Sequence, residues 1–99
     1  MRTLMKVHMD TEIGNEAFKN GTLQRTVQEA MDQLKPEAAY FAPDEGQRTA
    51  FFVFDLQDPS QVPAIAEPFF SRLGAKVELT PVMNLEELEA GVKRAEQIV

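Results

Sequence analysis

Leu56–Leu85 reads LQDPSQVPAIAEPFFSRLGAKVELTPVMNL, and this stretch decides the fold. It passes from the end of a strand into a helix that Asp58 can cap, and Pro59 suits the first turn because that position needs no backbone donor. Gly74 ends the helix. Ala75–Met83 then alternates apolar and polar residues, which is typical of a strand. A strand, a helix and a strand in this order are half of a split βαβ unit.

The first part of the chain supplies the matching half. Its first strand alternates in period two, and the helix after Thr22 carries apolar residues at helical spacing. Asp10–Glu16 is predicted to be a break, and one bent helix across both helical segments remains an alternative. The predicted elements are a strand over Arg2–Met9, a short helical segment around Asn15–Lys19, a helix over Leu23–Leu34, and a hairpin of strands Glu37–Pro43 and Arg48–Leu56 joined by a four-residue turn.

A further helix is predicted at the end of the chain. Asn84 and Glu87 have the spacing of a capping box that opens a helix over Leu85–Ile98. The complete order is β-α-β-β-α-β plus a terminal helix. This order predicts an α+β, ferredoxin-like fold in which a four-stranded antiparallel sheet carries its helices on one face. We expect one such domain over residues 1–99.

Composition excludes several classes of function. The chain has 16 acidic and 10 basic residues and a net charge of −6, which disfavours nucleic acid and anionic membranes as partners. No apolar run is long enough to span a bilayer. The absence of cysteine removes disulfides, thiolate nucleophiles and thiolate metal ligands. We therefore expect a cytoplasmic protein.

The two faces of the predicted sheet differ in composition. Nine apolar side chains should lie under the helices: Met5, Val7, Ala39, Phe41, Ala50, Phe52, Phe54, Val77 and Leu79. The opposite face, called the mixed face below, combines apolar, aromatic and charged side chains: Leu4, Lys6, His8, Tyr40, Thr49, Phe51, Val53, Asp55, Glu78 and Thr80. A partly apolar face of this size is typical of an interface or a ligand surface. We expect a second copy to pack on it, sheet against sheet.

Four stretches carry a resemblance to a known superfamily. TAFFVFDL, DPSQVPAIAEPFF, VELTPVM and NLEEL resemble the dimeric α/β-barrel superfamily, and the likeness extends over nearly the whole chain. Its members include muconolactone-isomerase-like enzymes, cofactor-free monooxygenases, haem-binding relatives and proteins without known activity. The resemblance implies a homodimer in which two sheets close into a barrel, with pockets between sheet and helices. Its motifs are structural, so it indicates fold rather than chemistry.

The candidate catalytic residues are His8, Asp55 and Tyr40. His8 is the only histidine and has the side chain suited to proton transfer near neutral pH. Asp55 belongs to a neighbouring strand, so a His8–Asp55 pair could act as a general base. We favour a structural histidine held by a hydrogen bond. Tyr40 could donate to a substrate oxygen, although a place in the dimer interface is favoured.

Lys6, Phe51 and Glu78 are the expected ligand contacts on the mixed face, and Lys6 and Glu78 can also pair across their strands. Arg48, at the mouth of the hairpin, could bind an anion, but an ordinary solvated arginine is favoured. No metal is expected, because the one histidine has no paired ligand spacing around it. No cofactor is expected either, since no glycine-rich phosphate-binding loop occurs.

Three functions fit these features. The favoured interpretation is a small homodimer that binds a small apolar or aromatic molecule. An alternative is a cofactor-independent isomerase or monooxygenase that uses His8. Another is a structural or regulatory interaction module.

Overall fold

Four strands and four helices alternate along the chain. The structure is a computed structural model that describes residues 1–99. A single 3₁₀ turn over Pro59–Gln61 leads into the third helix. The elements are β1 Arg2–His8, α1 Thr11–Asn20, α2 Thr22–Leu34, β2 Ala38–Asp44, β3 Gln47–Asp55, α3 Val62–Leu73, β4 Lys76–Pro81 and α4 Leu85–Glu96.

The four strands form one antiparallel sheet in the order β2-β3-β1-β4. β1 lies between β3 and β4, and its register places Arg2 opposite Asp55 and His8 opposite Thr49. β2 and β4 are the edge strands, and each carries a proline near its end, Pro43 and Pro81. This order of strands and helices confirms the α+β, ferredoxin-like prediction.

The core lies between the helices and the apolar face of the sheet. Met5, Val7 and Phe52 are fully buried, and Phe69 and Leu73 of α3 pack against them. Burying one such side chain stabilises the fold by about 1.5–3 kcal/mol. The predicted apolar strand set is therefore confirmed with one partial exception. That exception is Phe41, which is half-exposed and lines a pocket.

The prediction of a break over Asp10–Glu16 is wrong. The Asp10 carboxylate accepts a hydrogen bond of 2.9 Å from the backbone N–H of Ile13. This bond caps α1, which begins at Thr11 and continues through Gly14. Gly21, at φ +82°, then separates α1 from α2, so the chain forms two helices rather than one bent helix.

The hairpin between β2 and β3 is tighter than the predicted four-residue turn. Asp44 pairs with Gln47, so only Glu45 and Gly46 lie between the strands. Both have positive φ, at 54° and 76°, as the tight turns that match the twist of a hairpin require. The predicted pairing of Tyr40 with Phe51 is confirmed. The tight turn brings Asp44 close to the end of β1.

α4 projects from the rest of the chain. Asn84 and Glu87 form the predicted capping box, and none of the residues of α4 is buried. Glu87 also makes an ion pair with Arg2, which ties the first turn of α4 to β1. The radius of gyration is 15.8 Å, whereas a compact domain of this length has about 13 Å. No helix of the structure has the length and apolar character to cross a membrane.

Candidate functional site

A polar cluster lies on the mixed face at the end of β1. The Nε2–H of His8 donates to the Asp44 carboxylate over 2.8 Å, and Lys6 Nζ lies 3.6 Å from the same carboxylate oxygen. The hydrogen bond from His8 is the main cause of a lowered pKa at Asp44, and the positive charge of Lys6 acts in the same direction. The His8 side chain is only 5% exposed. The carboxylate therefore fixes the orientation of a buried imidazole.

The other nitrogen of His8 has no partner. Nδ1 is buried and makes no hydrogen bond, and the nearest carboxylate oxygen on that side, Oε1 of Glu78, is 3.9 Å away. A buried polar atom without a partner costs about 1–3 kcal/mol. With Nε2 donating to Asp44, Nδ1 is the nitrogen of a neutral His8 that can accept a proton. A carboxylate that orients an imidazole is an arrangement also found around general bases, but Nδ1 of His8 is buried in this structure.

The aromatic residues of the mixed face lie in the adjacent row. Tyr40, Phe51, Lys6 and Glu78 are consecutive cross-strand neighbours from β2 to β4. Lys6 Nζ lies 5.9 Å from the centre of the Phe51 ring, within the range of a cation–π contact. Tyr40 is 70% exposed. The structure thus brings together the three residues expected to contact a ligand and places the Tyr40 ring beside them.

Asp55 lies at the other end of the sheet from His8. Its register partner on β1 is Arg2, and its carboxylate makes an ion pair with the amino group of Met1. The expectation of a His8–Asp55 pair is therefore wrong, because antiparallel strands place the end of one beside the start of the other. Asp55 instead lines a separate cleft of about 410 Å³. Asp44 takes the role at His8 that the sequence assigned to Asp55.

A larger cavity lies between α2 and the β2–β3 hairpin, and we call it the hairpin pocket. It has a volume of about 550 Å³. Its apolar lining comes from the chain after β1, from α2 and from β2: Met9, Leu23, Val27, Phe41, Ala42 and Pro43. Phe41 is the partial exception in the core, since its ring contacts Phe52 edge-on at 5.9 Å yet is 53% exposed. The helices leave part of the edge strand β2 uncovered, and the space beside this part is the hairpin pocket.

Arg48 supplies a cation to the lining of the hairpin pocket. Its Nη2 donates to Oδ1 of Asn15 over 3.0 Å, and Nη1 lies 3.1 Å from the position that a Cβ on Gly14 would take. Arg48 makes no ion pair with a carboxylate, although the chain has 16 acidic residues. An arginine next to an apolar cavity and without a carboxylate partner can bind an anionic group with paired hydrogen bonds.

The resemblance implied pockets between sheet and helices, but the residues of the hairpin pocket were not identified as a set from the sequence. Phe41 was assigned to the core, and for Arg48 a solvated arginine was favoured over an anion site. The available signal was their common position near the hairpin turn, on strands that pair there. Because β2 is an edge strand, a large side chain on its helix-facing side extends past the helices and leaves a concave surface.

No three histidine, aspartate or glutamate side chains converge in a geometry that could hold a metal ion. Residues 1–96 match a family described as a domain of unknown function, DUF3303. The chain belongs to this family. No curated protein matches the chain. Because the description of DUF3303 assigns no activity, the function must be argued from the two sites rather than from the family.

Proposed function

We propose that the protein binds a small apolar or aromatic molecule that carries an anionic group, and that the hairpin pocket is the binding site. One observation carries the proposal: an apolar cavity of about 550 Å³ has Arg48, an arginine without a carboxylate partner, in its lining. Ligand pockets are commonly apolar cavities of about 300–1,000 Å³ with a few polar groups that orient the ligand. A carboxylate on a flat or branched hydrocarbon body has the chemistry that fits both parts.

The contacts assign a role to each wall. Leu23 and Val27 of α2 face Phe41 and Pro43 of β2 across the pocket, so the hydrocarbon body lies between helix and edge strand. The guanidinium of Arg48 is held by Asn15 on α1. A hydrogen bond to a charged group contributes about 1.5–3 kcal/mol. The anionic group therefore sets the orientation, while the apolar walls supply most of the buried area.

Two fluorescent probes of similar size test this proposal. One is 1-anilinonaphthalene-8-sulfonate, an aromatic anion, and the other is N-phenyl-1-naphthylamine, which lacks the charge. Arg48→Met should weaken binding of the anion about ten-fold or more and leave the neutral probe nearly unchanged. Arg25→Met, on the exposed side of α2, is the matched control and should change neither affinity.

A second variant tests the walls. Val27→Trp should fill the pocket and weaken both probes, and a change in the melting temperature would show whether the fold tolerates it. If both probes bind Arg48→Met and Val27→Trp as they bind the natural protein, the hairpin pocket is not the site.

The proposal includes a homodimer formed through the mixed face, as in the dimeric α/β-barrel superfamily that the sequence resembles. Tyr40 is largely exposed, and Leu4, Phe51 and Val53 are only partly covered. A stable interface buries about 800 Å² on each partner, which requires most of one sheet face. Light scattering on Phe51→Glu should give a monomer, while His8→Ala should remain a dimer. A natural protein that is monomeric at micromolar concentration contradicts this assembly.

A cofactor-independent enzyme is the second candidate. The unpartnered Nδ1 of His8, oriented through Asp44, favours a general base that removes a proton from carbon or oxygen. The probe is 5-nitrobenzisoxazole, whose ring opens when a base removes one proton. Catalysis by His8 predicts a rate above background that His8→Ala abolishes and Asp44→Asn lowers, whereas Glu45→Gln retains it. Equal rates for all four proteins would exclude this candidate.

A further inference from the structure

A polar cleft lies at the opposite end of the sheet from the hairpin pocket. It is the cleft of about 410 Å³ that Asp55 lines, and it lies between the end of α2 and the start of α3. Glutamines from three segments line it, so we call it the amide cleft: Gln33 of α2, Gln57 of the loop after β3, and Gln61 of the 3₁₀ turn. Asp55 comes seven positions after Arg48 on β3, which is about 23 Å at 3.3 Å per residue. The amide cleft and the hairpin pocket are therefore separate sites.

The backbone holds one of these glutamines in place. Oε1 of Gln61 accepts the N–H groups of Gln57 and Asp58, both over 3.1 Å. Because these two donors require an oxygen at that position, the orientation of the carboxamide is fixed and its NH₂ group remains a donor. The side-chain amides of Gln33 and Gln57 make no hydrogen bond within the chain. The amide cleft therefore offers NH₂ donors and carbonyl acceptors that the chain itself does not use.

Lys35 supplies the cation of the amide cleft. It directly follows α2 and has a left-handed backbone conformation, with φ 44°. Glycine is the usual residue at such a helix end, because a side chain is strained in this conformation. The ammonium group of Lys35 makes no ion pair with a carboxylate. The chain thus carries an unpaired positive charge at a position whose backbone favours glycine.

The negative charge in the amide cleft is already paired. The carboxylate of Asp55 makes an ion pair with the amino group of Met1. Phe54 and Ile65, which are almost fully buried, close the bottom of the cleft, and Leu34 adds apolar surface. The amide cleft therefore combines an apolar bottom with neutral hydrogen-bonding groups and one unpaired cation.

We propose that the amide cleft binds a monosaccharide-sized, hydroxyl-rich molecule that carries one oxyanion. Hydroxyl groups and carboxamides both donate and accept hydrogen bonds, so amide side chains suit a sugar. The oxyanion, a carboxylate or a phosphate, fits Lys35, because a hydrogen bond between charged groups is stronger than a neutral one. The C–H face of a sugar ring fits the apolar bottom. This second site goes beyond the function proposed above and depends neither on the hairpin pocket nor on the dimer.

Three sugars that differ in one group test the proposal in the full chain: glucose, glucuronate and glucose 6-phosphate. In ¹H–¹⁵N NMR titrations, the side-chain amide signals of Gln33, Gln57 and Gln61 should move. At least one of the two anions should bind about ten-fold more tightly than glucose, and the tighter anion identifies carboxylate or phosphate as the preferred group. Unchanged amide signals with all three sugars, or equal affinities for glucose and both anions, overturn the proposal.

Variants of Lys35 test the cation. Lys35→Met should reduce the affinity for the anions to that for glucose, and Lys93→Met, at an exposed position of α4, is the control that should change no affinity. Lys35→Gly should have the same effect on binding without lowering the melting temperature, because glycine suits the left-handed conformation. A lower melting temperature with unchanged binding would show that Lys35 serves the end of α2 alone, and would overturn the proposal.

Further variants test the amides and separate the two sites. Gln33→Ala should weaken binding of all three sugars, and Gln24→Ala, also exposed on α2 but outside the amide cleft, is the matched control. Arg48→Met removes the cation of the hairpin pocket and should leave sugar binding unchanged. If Gln33→Ala binds the sugars as the natural protein does, or if Arg48→Met loses them, the amide cleft is not their site.

Discussion

His8 and Asp44 are joined by a 2.8 Å hydrogen bond although 36 residues separate them in the chain. The contact depends on the tight turn at Glu45 and Gly46, which places Asp44 beside the end of β1. It connects a buried imidazole to a partly exposed carboxylate, and both residues belong to the mixed face. Both the acid stability of the fold and the orientation of His8 depend on it.

Asp44 should make the fold sensitive to acid. Its pKa is lowered in the folded state, chiefly by the hydrogen bond from His8. An ionised Asp44 therefore stabilises the fold above the ordinary carboxyl pKa of about 3.9, and this contribution is lost as the pH falls through the lower folded pKa. Asp44→Asn should flatten the decline in stability below about pH 4. Urea unfolding at several pH values measures this, and Asp32→Asn, at an exposed position of α2, is the control.

Phe52 is the residue whose truncation should cost most. It is fully buried, and its ring contacts both Phe41 and Phe69. Phe52→Ala should lower the free energy of unfolding by about 3–5 kcal/mol, because a cavity remains. Phe41→Ala removes the same atoms from a half-exposed site and should cost less than about 2 kcal/mol. Equal losses in denaturant unfolding would show that β2 is covered in solution.

Gly14 is expected to couple α1 to the hairpin pocket. A Cβ at this position would lie 3.1 Å from Nη1 of Arg48, which can shift because it is the end of a flexible side chain. Gly14→Ala should raise stability by up to about 1 kcal/mol through helix propensity. The same change should displace the guanidinium and weaken binding of the anionic probe several-fold. A gain in stability with unchanged affinity would mean that the position of Arg48 is not important for binding.

Gly74 and Gly21 form a matched pair for backbone and steric effects. Both have positive φ, but a Cβ on Gly74 would lie 2.5 Å from Cδ1 of Ile13, whereas a Cβ on Gly21 meets nothing within 4 Å. The left-handed conformation costs about 1–2 kcal/mol for alanine at either site. The contact with Ile13 should add about 0.5–1.5 kcal/mol at Gly74, because its Cδ1 is the end of a half-exposed side chain that must rotate away. Thermal unfolding of the two alanine variants measures the difference.

The periodicity of the sequence was sufficient for the fold, because strand alternation and helix caps are local signals. Asp58 and Asn84 mark helix starts that the structure confirms. The tight hairpin turn was harder to predict. It needs positive φ at Glu45, and a glutamate does not signal that conformation in the sequence. α1 was underestimated because a glycine such as Gly14 usually interrupts a helix, and the side chain that packs beside it, Arg48, comes 34 positions later in the chain.

The candidate site was less predictable, because it depends on register. His8 was identified from its chemistry alone. Choosing Asp44 or Asp55 as its carboxylate partner requires knowing whether the start or the end of β3 lies beside His8. The antiparallel direction of β1 and β3 already contained that answer, since the start of β3 must lie beside the end of β1. The hairpin pocket depends on how far the helices extend over β2, which is a property of packing and not of sequence periodicity.

The prolines of the edge strands have a consequence for behaviour at high concentration. Pro43 and Pro81 lie near the ends of β2 and β4, where each removes one backbone donor from an open edge. An incoming strand of another molecule therefore finds a short unbroken edge on either side, residues 38–42 of β2 and residues 76–80 of β4. Repeated addition of strands from other molecules, the first step towards fibrils, is disfavoured at both edges of the sheet. Both borders of the sheet are thus less open to added strands than edges without proline would be.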